Sequence, residues 1–153
     1  MANWSGTSRT NFVKVISLEA AEAFAETRTL EVDPHPSEVN FVMFTSTDES
    51  GGFNHWQYDP VAEEYTDDCW SWEEVAEILV EGQVLIATEI GSEELRYLTG
   101  NSVAVTWDGR STSVALGDIY QKAAEEFGVP SRSIAHCSYQ YMALDYVKET
   151  KNV

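Results

Sequence analysis

Apolar positions recur with helical spacing in three places along the chain. Between residues 18 and 26, Leu18, Ala21 and Ala25 fall on one face with Phe24 beside them, behind Ser17 as N-cap. A second stripe, Trp72, Val75, Ile78 and Leu79, follows Ser71 and Glu74, which stand three apart as a capping box, and runs to a stop at Gly82. A third, Ile119, Tyr120, Ala123, Ala124 and Phe127, is opened by Asp118 as cap and closed by Gly128 and Pro130.

Runs of β-branched and aromatic residues predict strands at Phe12 to Ile16, Thr29 to Val32, Val39 to Thr45, Val84 to Ile90, Val103 to Trp107 and Thr112 to Leu116. The last two flank Asp108-Gly109, a hairpin signal. The predicted order is β-α-β-β-α-β, then a hairpin and a helix: an α+β domain with a mostly antiparallel sheet and about three helices. Its first six elements match the ferredoxin-like order, which many α+β sheets share.

Residues 47–70 show no clear period. They hold Gly51-Gly52, Asn54, Pro60 and scattered aromatics and acids, and read as one long acidic loop of the functional or mobile kind. From Ser131 the aromatic spacing allows a strand and a helix packed on the sheet, or a frayed tail.

The 153 residues suit one domain, residues 1–153, and 43% hydrophobic content with five Trp, seven Tyr and six Phe predicts a globular core. No apolar run is long enough for a membrane helix, and MANWSGTSRT lacks the apolar core of a signal peptide, so the expectation is a cytoplasmic protein with no membrane partner. In that compartment Cys69 and Cys137 are expected as free thiols.

Charge changes the picture. The net charge is −17, and all of it lies between Arg28 and Arg96, where 17 acids meet no Lys or Arg. Outside that block the remaining nine acids balance all nine basic residues. Solubility requires only about 2–8 net charges on a small domain, and salt adaptation would spread acids over the whole surface. A local excess points instead to a basic partner.

The densest part is Asp59, Glu63, Glu64, Asp67, Asp68, Glu73, Glu74, Glu77 and Glu81. On an α-helix Glu73, Glu77 and Glu81 would be like-charge neighbours at i,i+4, each pair costing about 0.2–0.5 kcal/mol. Glu73 and Glu74 have an ordinary reason, since acids favour a helix N-terminus; Glu77 and Glu81 do not. Neighbours about 5–6 Å apart approach the spacing of nucleic-acid phosphates, about 3.4 Å of axis per strand. A row of carboxylates on one outward face would therefore compete for the Lys and Arg that bind phosphate. Trp56, Tyr58, Tyr65, Trp70 and Trp72 interleave with these acids, as interface anchors or as core.

Other chemistry finds no support. His35, His55 and His136 lack zinc spacing, and His136-Cys137 has no acid partner. Asp48 to Phe53 fails the calcium-loop rule, with Phe53 at its sixth position. No dinucleotide or phosphate loop occurs, and the charge disfavours direct nucleic-acid binding. No catalytic residue, metal or cofactor is assigned, and no enzymatic activity is expected.

Gly6 to Val15, GTSRTNFVKV, and Glu93 to Ala123, EELRYLTGNSVAVTWDGRSTSVALGDIYQKA, resemble a family of small acidic proteins carried by phages, plasmids and other bacterial mobile elements. The resemblance flanks the acidic block and implies a setting, the cytoplasm of a bacterial host, without a reaction or a functional residue. In that setting the charge is similar to that of antirestriction and anti-CRISPR proteins, the latter favoured because CRISPR effectors hold duplexes in basic channels. The expectation is an inhibitor of a nucleic-acid-binding defence effector. The alternative is an antitoxin-like module or accessory subunit that binds a basic protein without imitating DNA.

Overall fold

The computed structural model describes residues 4–93 and 97–134. It is α+β, with strands β1 (Trp4–Thr10), β2 (Val13–Lys14), β3 (Leu30–Pro34), β4 (Phe41–Ser46), β5 (Trp56–Asp59), β6 (Glu64–Cys69), β7 (Val84–Glu93), β8 (Tyr97–Thr106) and β9 (Ser111–Ala115). Helix α1 spans Leu18–Glu26 and α2 spans Asp118–Phe127, with short 3-10 helices at Trp72–Glu77 and Ser131–Ser133. Seven strands form one sheet in the order β2-β4-β1-β7-β8-β9, with β3 also on β4, while β5 and β6 pair apart as a hairpin. Every described pairing is antiparallel. The ferredoxin-like arrangement, which needs a parallel pair around its helix, is not reproduced.

The period-2 pattern decides which face of the sheet is covered. Val13, Val42, Phe44, Leu85, Ala87 and Val105 point inward and are buried against Ala21, Phe24 and Ala25 of α1 and against Trp70, Trp72, Val75, Ile78 and Leu79. The aromatic centre is a set of tilted and edge-on contacts, with Trp70 and Trp72 at 5.0 Å and Phe53 and Trp72 at 4.9 Å between ring centroids. Helix α1 has the predicted bounds because Ser17 accepts a hydrogen bond from Ala20 N.

Four expectations are corrected. The second helix is a six-residue 3-10 helix, Trp72–Glu77, and Ser71 makes no side-chain cap. The chain leaves it early because Ile16 N donates to Ile78 O and Val80 N to Lys14 O, with Leu79 bridging Val15, so pairing with β2 takes the residues that would have continued an α-helix. The 47–70 segment contains β5 and β6; β6 is largely exposed on both faces and β5 is short and half-buried, so neither shows an apolar alternation. Strand β1 was missed because its inward positions are the polar Ser8 and Thr10, both buried. Thr10 Oγ1 accepts from Phe44 N at 2.9 Å, a side chain standing in for a ladder carbonyl. In α2, Gly117 is the N-cap, Asp118 instead accepts from Ala115 N, and no residue of the helix is buried.

The outer strands run longer or shorter than expected by a few residues, most in β8, which begins at Tyr97. Cys137, His136, Glu94, Arg96 and the tail from residue 135 lie outside the described residues.

Candidate functional site

The acids singled out from the sequence fall on three structural units. Asp59 ends β5, and its Oδ1 accepts from Val61 N at 2.8 Å and Ala62 N at 3.1 Å, so this carboxylate closes the hairpin turn. Glu63 completes the turn with φ of 56°, a left-handed conformation uncommon outside glycine. Glu64 opens β6 opposite Asp59. Glu63, Glu64, Asp67 and Asp68 are all exposed.

The pairing is regular at Asp59 with Glu64 and Tyr58 with Tyr65 and then shifts, Trp56 standing opposite Cys69, so Asp67 and Asp68 lie in an irregular stretch of β6. Tyr58 and Tyr65 stack edge-on across the strands at 5.5 Å. The hairpin is tied to the body by Tyr58 N donating to Thr27 O and by Trp70, whose backbone N–H reaches His55 O and whose indole reaches Asn54 O. Trp56, 50% exposed, stands at its base.

The second unit is the 3-10 helix. Three residues per turn bring Glu74 and Glu77 to one side and turn Glu73 away from both. The regular i,i+4 row of Glu73, Glu77 and Glu81 expected from the sequence is not formed, because it required an α-helix. Glu73 Oε1 accepts from the Ser111 hydroxyl at 2.7 Å, tying the helix to β9. That bond, first among several, lowers the Glu73 pKa. Glu74 meets Arg28 Nη2 at 3.2 Å. Glu77 is exposed, and Glu81 lies past the helix in the turn before Gly82.

Neutralisation is slight. Among the described residues three ion pairs occur, and only Arg28 with Glu74 reaches the acidic block. Arg28 is itself fixed: its guanidinium lies 4.0 Å from the Phe24 ring centroid and donates to Phe24 O and Thr27 Oγ1. Among the described residues, the exposed Glu63, Glu64, Asp67 and Asp68 therefore have no ion-pair partner.

Two further acids of the block, Asp48 and Glu89, were not among the candidate site residues of the sequence. Asp48 Oδ1 accepts from the Ser50 N–H and hydroxyl, and Oδ2 from Asn54 Nδ2. The Ser50 hydroxyl is the largest cause of its lowered pKa. Glu89 on β7 accepts from Phe53 N. Both line a cleft at the hairpin base with Trp4 and Trp56. The polar turn Asp48 to Gly52 was the visible signal; Glu89 and Trp4 joined it only through folding.

Among the described residues, no group of three or more His, Cys, Asp or Glu could hold a metal ion, and no helix is long and apolar enough to cross a membrane. The chain matches no family model, no curated protein and no solved structure.

Proposed function

We propose that the chain is a binding protein that offers its acidic hairpin, residues 56–69, to the phosphate-binding surface of a basic nucleic-acid-binding protein in the cytoplasm of a bacterial host. The observation that carries this reading is the ribbon itself. Glu63, Glu64, Asp67 and Asp68 are exposed on the turn and the second strand of a two-stranded element, and none of them has an ion-pair partner among the described residues. A two-stranded ribbon can enter a groove that a flat sheet cannot. Desolvating such acids is costly unless the partner supplies cations, so the surface discriminates in favour of Lys- and Arg-rich channels. Electrostatic attraction would also speed encounter.

Within this reading the partner is a host-defence effector, a CRISPR effector before a restriction enzyme, and binding inhibits it by excluding nucleic acid. The resemblance to mobile-element proteins supports that setting. A spaced set of carboxylates on a ribbon and a short helix replaces a continuous mimic of the phosphate backbone.

The test is inhibition of nucleic-acid binding across a panel of purified bacterial CRISPR effectors and restriction enzymes, with wild-type chain and a Glu63→Lys, Glu64→Lys, Asp67→Lys, Asp68→Lys variant. Inhibition of one effector that weakens with added salt, is relieved by excess nucleic acid and is lost in the variant is expected. Equal inhibition by the variant would overturn the role of the hairpin. Binding that excess nucleic acid does not displace would favour the interaction module, for which exposed Trp56 and Tyr65 are suitable anchors.

A further inference from the structure

Where β1, the 48–55 segment, β7 and β8 meet, an open cleft of about 660 Å³ is lined by Trp4, Trp56, Asp48, Glu89 and Asn101. Its size is that of a small-ligand or side-chain pocket. Glycine shapes it. A Cβ on Gly6, Gly52 or Gly91 would come within 2.4, 2.6 or 2.2 Å of the Trp4 ring, so the indole is seated directly on backbone. Its Nε1 donates to Thr99 Oγ1 at 3.0 Å, which holds it in the cleft wall.

The balance of donors and acceptors defines what the cleft can take. The Trp4 N–H goes to Thr99, the Ser50 hydroxyl and an Asn54 amide proton to Asp48, and the Phe53 N–H to Glu89. These donors are consumed internally. A carboxylate has about four lone-pair positions. Asp48 fills its own with the Ser50 N–H and hydroxyl, Asn54 and Tyr65 and contributes charge, whereas Glu89, with Phe53 N as its described donor, keeps acceptor capacity. No described ion pair involves Asp48 or Glu89. Two negative charges beside two indoles repel phosphates and nucleotides.

We propose that this cleft receives a guanidinium group, the side chain of an arginine on the partner, against the Trp4 and Trp56 indoles and the Asp48 and Glu89 carboxylates. Guanidinium is all donor, planar and always charged, and it stacks on aromatic faces, whereas ammonium is a compact, strongly hydrated point charge. The inference deepens the binding role proposed above by naming the group received. It rests on that reading for its biological meaning and on the cleft alone for its chemistry.

The experiment is a titration of the full chain, followed by the tryptophan indole N–H resonances, with N-acetyl-arginine methylamide, N-acetyl-lysine methylamide and methyl glucoside. Saturable shifts with the arginine derivative in the millimolar range are expected, weaker ones with the lysine derivative and none with the glucoside. Glu89→Gln, which keeps an acceptor for Phe53 N, and Trp56→Ala, at an exposed ring, are each expected to weaken arginine binding about tenfold. Absence of saturable shifts, equal binding of the glucoside, or undiminished affinity in Glu89→Gln would overturn the proposal. The hairpin lysine variant should retain arginine binding while losing inhibition, so the cleft and the hairpin can fail separately.

Discussion

Asn11 completes the sheet ladder to Ile86 with its side chain: Ile86 N donates to Asn11 Oδ1 at 2.7 Å, while Asn11 Nδ2 donates to Val84 O at 3.0 Å. With Asn11 N donating to Ile86 O, the amide spans the break between β1 and β2 where the chain turns from β7 toward residues 78–80. Asn11→Ala removes a donor and an acceptor together. A loss of about 1–2 kcal/mol in unfolding free energy is expected, measured by urea denaturation. Asn11→Asp keeps the bond from Ile86 but sets a carboxylate against Val84 O, so it should recover only part of that loss.

Arg28 joins α1 to the 3-10 helix through Phe24, Thr27 and Glu74, and its side chain is only 15% exposed. Arg28→Met retains the stem packing but leaves Glu74 and two acceptors without their donor; a loss of about 2 kcal/mol is expected. Glu74→Gln, at a carboxylate 37% exposed, should cost less than 1 kcal/mol or so. Thermal unfolding of both variants checks the ranking; equal losses would show that the pair, and not the contacts to Phe24 and Thr27, dominates.

Gly51 and Gly109 both have positive φ, at 81° and 84°, yet a Cβ at Gly51 would lie 2.0 Å from Gly6 O while one at Gly109 meets nothing within 4 Å. Gly109→Ala should therefore cost about 1 kcal/mol, the conformational term alone. Gly51→Ala should cost distinctly more, because the backbone of β1 must move. Side-by-side denaturation curves decide it.

Asp48 has a folded pKa below its usual range, chiefly through the Ser50 hydroxyl. A depressed carboxylate adds stability that is complete above the ordinary aspartate value, about pH 4, and is lost as pH falls through the folded value. Asp48→Asn should thus lower stability at neutral pH and shrink the further fall on acidification. Denaturation midpoints at pH 7 and in the acid range, compared between wild type and variant, measure the difference.

Local periodicity and turn chemistry were enough to place α1 and the β8–β9 hairpin, because one-sided burial of a helix and a tight Asp-Gly turn leave signals that neighbours in sequence report. The concentration of charge between Arg28 and Arg96 is likewise a property of composition alone. Tertiary structure decided the rest. Residues 78–80 could extend a helix or pair with β2, and only the position of β2 made pairing win. The acids of 59–81 could form one row or divide, and the hairpin and the 3-10 turn divided them between separate elements. Trp4, Gly52, Glu89 and Gly91 are separated along the chain by up to tens of residues, and a cleft built from such contacts has no local pattern to betray it.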